Sequence, residues 1–154
     1  YWFRTNNNNT LGEKFMITEK AKRKVALFLK EFYTEANVGV GGNSSNPNAT
    51  DLDVPILTTK VTTTNSESSA NVIDFTATFT GSQLDGNTVR EFGIFGTLPQ
   101  DTAFDEMYGG TANPATSHSN YASEVVMLSR VNFESLGTFS SSDELEITLT
   151  VEVE

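Results

Sequence analysis

Residues 71–96 (NVIDFTATFTGSQLDGNTVREFGIFG) set the hydrophobic pattern of this chain. Ile73, Phe75, Ala77 and Phe79 alternate with Asp74, Thr76, Thr78 and Thr80, as in a strand with one core face and one wet face. Asp85-Gly86 suits the positive backbone angles of the primed turns, so the spacing predicts a hairpin whose second strand runs over 89–96. The cleanest alternation lies at residues 145–153, where Leu145, Ile147, Leu149, Val151 and Val153 alternate with Glu146, Thr148, Thr150 and Glu152. Residues 123–133 alternate too, but Val126 and Leu128 make the run apolar on both faces, the pattern of a central strand. A β-branched, Thr-rich run at 56–64 predicts a half-exposed strand.

Only one helix is expected. Thr18 is an N-cap with Glu19 in the first turn, opening a helix to about Ala36, and Val25, Phe28, Leu29 and Phe32 make its apolar stripe. Residues 39–55 are a Gly/Asn/Ser/Pro loop, and the connection over 98–121, longer than compact domains usually hold, is expected to be either a contact loop or a floppy one. Several strands after one helix, with no second helix for parallel crossovers, predict a mainly β fold. It is an antiparallel β-sandwich or jelly-roll-like domain over 37–154, preceded by a helix at 18–36 and an extended arm at 1–17.

The charge changes the picture. Residues 1–30 carry seven cationic side chains against two acidic, a balance of +5; residues 31–154 carry three against eighteen, a balance of −15. A basic N-terminal region on an acidic body suggests an anionic partner, either nucleic acid or the acidic body of a second copy. The acidic sheet region argues against nucleic acid as the partner. In the arm, a polar tract at Asn6–Asn9 separates Tyr1-Trp2-Phe3-Arg4 from Phe15-Met16-Ile17. Aromatics of this kind are enriched where proteins meet, so Trp2, Phe3, Arg4 and Phe15 are expected to dock on another subunit.

Catalytic chemistry finds little footing. The single histidine, His118, sits among small polar residues in the long connection, and the acid pairs Asp51/Asp53, Asp105/Glu106 and Asp143/Glu144 fall in expected loops or strand starts. The chain has no cysteine, so neither disulfides nor thiolate metal sites are expected. Asn46, Asn48, Asp51 and Asp53 offer oxygen ligands of the kind calcium takes, but in no defined loop spacing. The expectation is therefore no enzyme, no cofactor and no metal. No apolar run reaches membrane-spanning length, and no secretory signal pattern is expected.

Arg90-Glu91 stands directly before an apolar, glycine-punctuated run. Adjacent strand residues point to opposite faces, so one of the two faces inward and needs a partner there. A structural salt bridge, with Arg130 or Glu124 as the cross-strand neighbour, is the expected role. The phrase Arg-Glu-Phe-Gly-Ile-Phe at 90–95 is preceded by a glycine turn and an Asn/Pro/Thr/Asp loop at 40–53. It is followed by Leu-Ser-Arg-Val-Asn-Phe at 128–133 and Ser-Asp-Glu-Leu-Glu-Ile at 142–147. This order of phrases resembles domains of tail-fibre, collar-fibre and related appendage or decoration proteins of tailed-phage virions.

The resemblance implies a β-sandwich-like, non-enzymatic, oligomeric structural protein located in the virion, as a tail, collar, neck or baseplate component. Its partners would be copies of itself and other virion proteins. A capsid decoration protein is the alternative within that class. A carbohydrate-binding module recognising a host glycan through Trp2, Tyr108 or Tyr121 is the alternative outside it.

Overall fold

The computed structural model describes residues 17–42, 49–100 and 123–154. Helix α1 spans Glu19–Phe32, and Thr18 caps it as expected, its hydroxyl accepting the Ala21 N–H at 3.2 Å. The helix stops four residues short of the expected end, because strand β1 (Glu35–Gly39) takes over. Ala36 and Val38 are fully buried in β1, and β1 lies between β2 (Val61–Thr62) and β5 (Glu91–Pro99). Two-sided strand pairing and core burial outweigh the helix preference of Glu35 and Ala36. The apolar stripe forms with one member exchanged. Ala26 is the fully buried helix residue, Phe28, Leu29 and Phe32 are half-buried against the core, and Val25 is 47% exposed.

The fold is mainly β, with two antiparallel sheets and one N-terminal helix. The first sheet has the order β2-β1-β5-β6, with β6 spanning Ser123–Asn132; the second has β3 (Thr64–Ser69), β4 (Val72–Thr80) and β7 (Glu144–Glu152) in the order β3-β4-β7. Ile73, Phe75, Ala77 and Phe79 of β4 share one hydrophobic core with Ala36, Val38, Phe92 and Ile94 of the first sheet. Phe79 meets Phe92 edge-on at 6.4 Å between ring centres, a favoured aromatic geometry. Two sheets contributing to one core is consistent with a β-sandwich.

Three strand expectations need correcting. The hairpin across Asp85-Gly86 does not form: β4 pairs with β3 and β7, whereas β5 pairs with β1 and β6. Residues 81–90 carry the chain from one sheet to the other. Their short helix α2 (Gly81–Leu84) is closed by a capping box between Thr80 and Gln83, and Leu84 and Val89 are buried in the core. Gly86 does adopt a positive φ of 73°, so the local angle was legible although the pairing was not.

Residues 56–60 are irregular apart from neighbouring bridges, and the strand expected at 56–64 lies mostly further on, as β3. Lastly, β6 is an edge strand rather than a central one. Its second apolar face is exposed in part, with Val125 51% accessible.

Candidate functional site

The excursion beyond β1 is closed at its base by antiparallel contacts. Val40 N–H donates to the Val54 carbonyl at 3.0 Å, and Ile56 N–H to the Val38 carbonyl at 2.8 Å. Two buried polar side chains fasten this segment. Asn37 donates from Nδ2 to the Leu57 carbonyl at 2.9 Å and accepts the Leu57 N–H at 3.3 Å. Glu91, at the start of β5, is fully buried. Its Oε1 accepts N–H bonds from Val54 at 2.9 Å and Gly41 at 3.2 Å, and its Oε2 accepts one from Asp53 at 3.0 Å.

This corrects the expected salt bridge of Glu91. The side chain does face inward and is satisfied there, but by three backbone N–H groups of the loop rather than by a cation. Carboxylate oxygens are pure acceptors, so three donors converging on them meet the requirement for a buried polar group. Arg130, expected opposite Glu91, pairs with Asp53 at 2.7 Å instead. Arg90 points to the exposed face and has no ion pair among the described residues. Gly39 and Gly41 complete the arrangement. A Cβ at Gly39 would collide with the Glu91 carboxyl and the Val54 carbonyl, and one at Gly41 would stand 2.8 Å from Oε1. The sequence signal for this clamp was present as two alternate glycines in the loop and one acid in an otherwise apolar strand.

The basic helix is engaged within the chain. Lys30 Nζ reaches Glu67 Oε1 at 3.0 Å, while Arg23 Nη2 reaches Oε2 and its Nη1 donates to the Ala70 carbonyl at 2.9 Å. These two cations, Lys30 first, hold the Glu67 carboxyl below its ordinary pKa. Lys22 pairs with Glu19 one turn back at 2.9 Å. Three cations of the N-terminal region thus have acidic partners in their own chain.

A groove opens between the two edge strands β6 and β7. Leu145, Ile147 and Leu149 turn toward the core yet remain half-buried, in contrast to Phe75 and Phe79 on neighbouring β4, which are fully buried. With Val131, Phe133 and Leu136 they line an apolar space of about 400 Å³ that also reaches Glu146 and Phe92. Leu136 is 44% exposed and Val131 37%. Residues 131–154 supply six acids and no base, Glu134, Glu144 and Glu146 among them, all three exposed. The periodicity of 145–153 announced the apolar face. That the face is only half covered depends on where the other sheet ends.

The expected docking residues Trp2, Phe3, Arg4, Phe15, Tyr108 and Tyr121 lie outside the described residues, as do His118, Asn46 and Asn48. Asp51 and Asp53 are exposed at the loop base, and no group of three His, Cys, Asp or Glu side chains suited to a metal ion occurs among the described residues. No helix among them is long and apolar enough to cross a membrane. Neither a protein-family model nor a curated protein matches the chain.

Proposed function

We propose that this chain is a non-enzymatic structural and assembly protein of a tailed-phage virion, a tail, collar, neck or baseplate appendage component. The observation that carries the reading is the groove between β6 and β7. There an apolar face is half covered and bounded by two strands that, among the described residues, stand at the edges of their sheets. Edge strands of nine and ten residues are templates for pairing with another chain. The phrase of residues 90–95 supports the same reading through its use. Glu91 spends its carboxyl on fastening a loop, a structural task with no substrate-facing group.

The test is quantitative mass spectrometry of purified phage particles whose genome encodes this chain. A fixed copy number relative to the major tail or capsid proteins is the expected result. Absence from particles, with the protein abundant in the infected-cell lysate, would sink the reading.

A further inference from the structure

We infer that the groove between β6 and β7 receives the aromatic segment Tyr1-Trp2-Phe3-Arg4 of a second copy's N-terminal arm. The inference rests on the assembly reading above and names the partner of that surface. Charge favours the arm as the occupant. Two acidic bodies at −15 each repel, whereas residues 1–16 carry Arg4 and Lys14 against Glu13, a balance of +1. Within the body, residues 131–154, which flank the groove, hold the densest acidic run, six acids and no cation in 24 residues.

The chemistry of this segment matches the groove in both its parts. The apolar lining formed by Val131, Phe133, Leu136, Leu145 and Ile147 takes an aromatic ring, and rings supply large contact area at small entropic cost. Arg4, next to those rings, meets the carboxyl of Glu146, an exposed residue bordering the groove. Among the described residues no strand pairs with the outer edges of β6 and β7, where an extended segment finds the N–H and C=O partners that an added strand uses.

Length permits the crossing between copies. The described chain begins at Ile17, beside the far end of β7: Glu19 accepts from the Asn71 side chain at 2.9 Å, and Val153 N–H donates to the Asn71 carbonyl at 3.0 Å. Residues 1–16, before that point, reach up to roughly 50 Å when extended. The whole β7 edge measures roughly 30 Å.

Absence of cysteine from the chain makes the test clean. One tagged chain carries Phe3→Cys and a differently tagged chain carries Leu136→Cys, at a position already exposed, so that folding is preserved. The mixture is oxidised mildly, and a disulfide joining the two tags is expected. Its yield should fall at least tenfold when the Leu136→Cys chain also carries Glu146→Arg, or when the Phe3→Cys chain also carries Trp2→Ala. A disulfide inside the double variant Phe3→Cys/Leu136→Cys, with none between the two tags, would overturn the inference by showing that the arm closes on its own groove. No disulfide in either experiment, while light scattering shows an oligomer, would overturn it and leave the assembly reading standing. A wild-type chain that is monomeric at all concentrations and missing from particles would instead remove the assembly reading itself.

Discussion

Gly41 and Glu91 are fitted to each other. The Gly41 N–H donates to Glu91 Oε1 at 3.2 Å, and any Cβ at residue 41 would stand 2.8 Å from that oxygen and 2.6 Å from the Asp53 Cβ. The glycine is there for close approach, and the acid is there because three loop N–H groups would otherwise be buried without a partner.

Glu91→Gln should lower the unfolding free energy by about 2 kcal/mol, because its amide presents a donor to one of those N–H groups. Glu91→Ala should cost about 3 kcal/mol or more, since it strands all three donors. Gly41→Ala should cost about 1–3 kcal/mol through the clash alone. Urea unfolding of the four proteins gives the comparison. A Glu91→Gln chain as stable as wild type would mean that the carboxyl is not what holds the loop.

The Glu67 cluster predicts a pH response of known sign. Lys30 and then Arg23 depress the Glu67 pKa in the folded chain. Its contribution is therefore complete above the ordinary carboxyl range and is lost as pH falls through the depressed folded value. NMR titration of the Glu67 carboxyl should give a midpoint below that of an unpaired glutamate, and 1 M salt should move it back up. A Glu67 midpoint at the ordinary value, insensitive to salt, would show that neither cation is engaged in solution.

The shared core predicts cooperative loss of both sheets. Phe79→Ala empties a fully buried site against Phe92 across the two sheets and should cost about 3–5 kcal/mol. Native-state hydrogen exchange should then show β1 and β4 amides losing protection together. If only β3, β4 and β7 lose protection, the two sheets are separate folding units.

Two glycines of the crossover separate a steric requirement from a conformational one. A Cβ at Gly81 would be driven into the Ser140 carbonyl, with Asp143 backbone atoms 2.8 and 2.9 Å away; a Cβ at Gly86 meets nothing within 4 Å but sits at φ 73°. Gly86→Ala should therefore cost about 1–2 kcal/mol from the left-handed backbone. Gly81→Ala should cost more, since the backbone of 140–143 must move. Thermal melts of the two variants rank them, and the reverse order would place Ser140 farther from Gly81 than described.

Periodicity and local chemistry were sufficient for much of this protein. The alternations at 72–80 and 145–153 are strands, the Thr18 cap starts a helix, and Gly86 takes the left-handed angle that Asp-Gly suggests. These features depend on residues close in the chain, where side-chain spacing and backbone preference act directly. Tertiary structure decided the rest. Strand order sent β4 and β5 to different sheets across a ten-residue crossover, turned an expected helix end into β1, and left β6 at an edge. It also chose three amides over a cation as the partner of Glu91, because residues 41, 53 and 54 reach that carboxyl only after the loop has closed on β1. Hydrogen-bond partners and covered faces are set by which elements meet, and pairings between residues distant in the chain leave no period in the sequence.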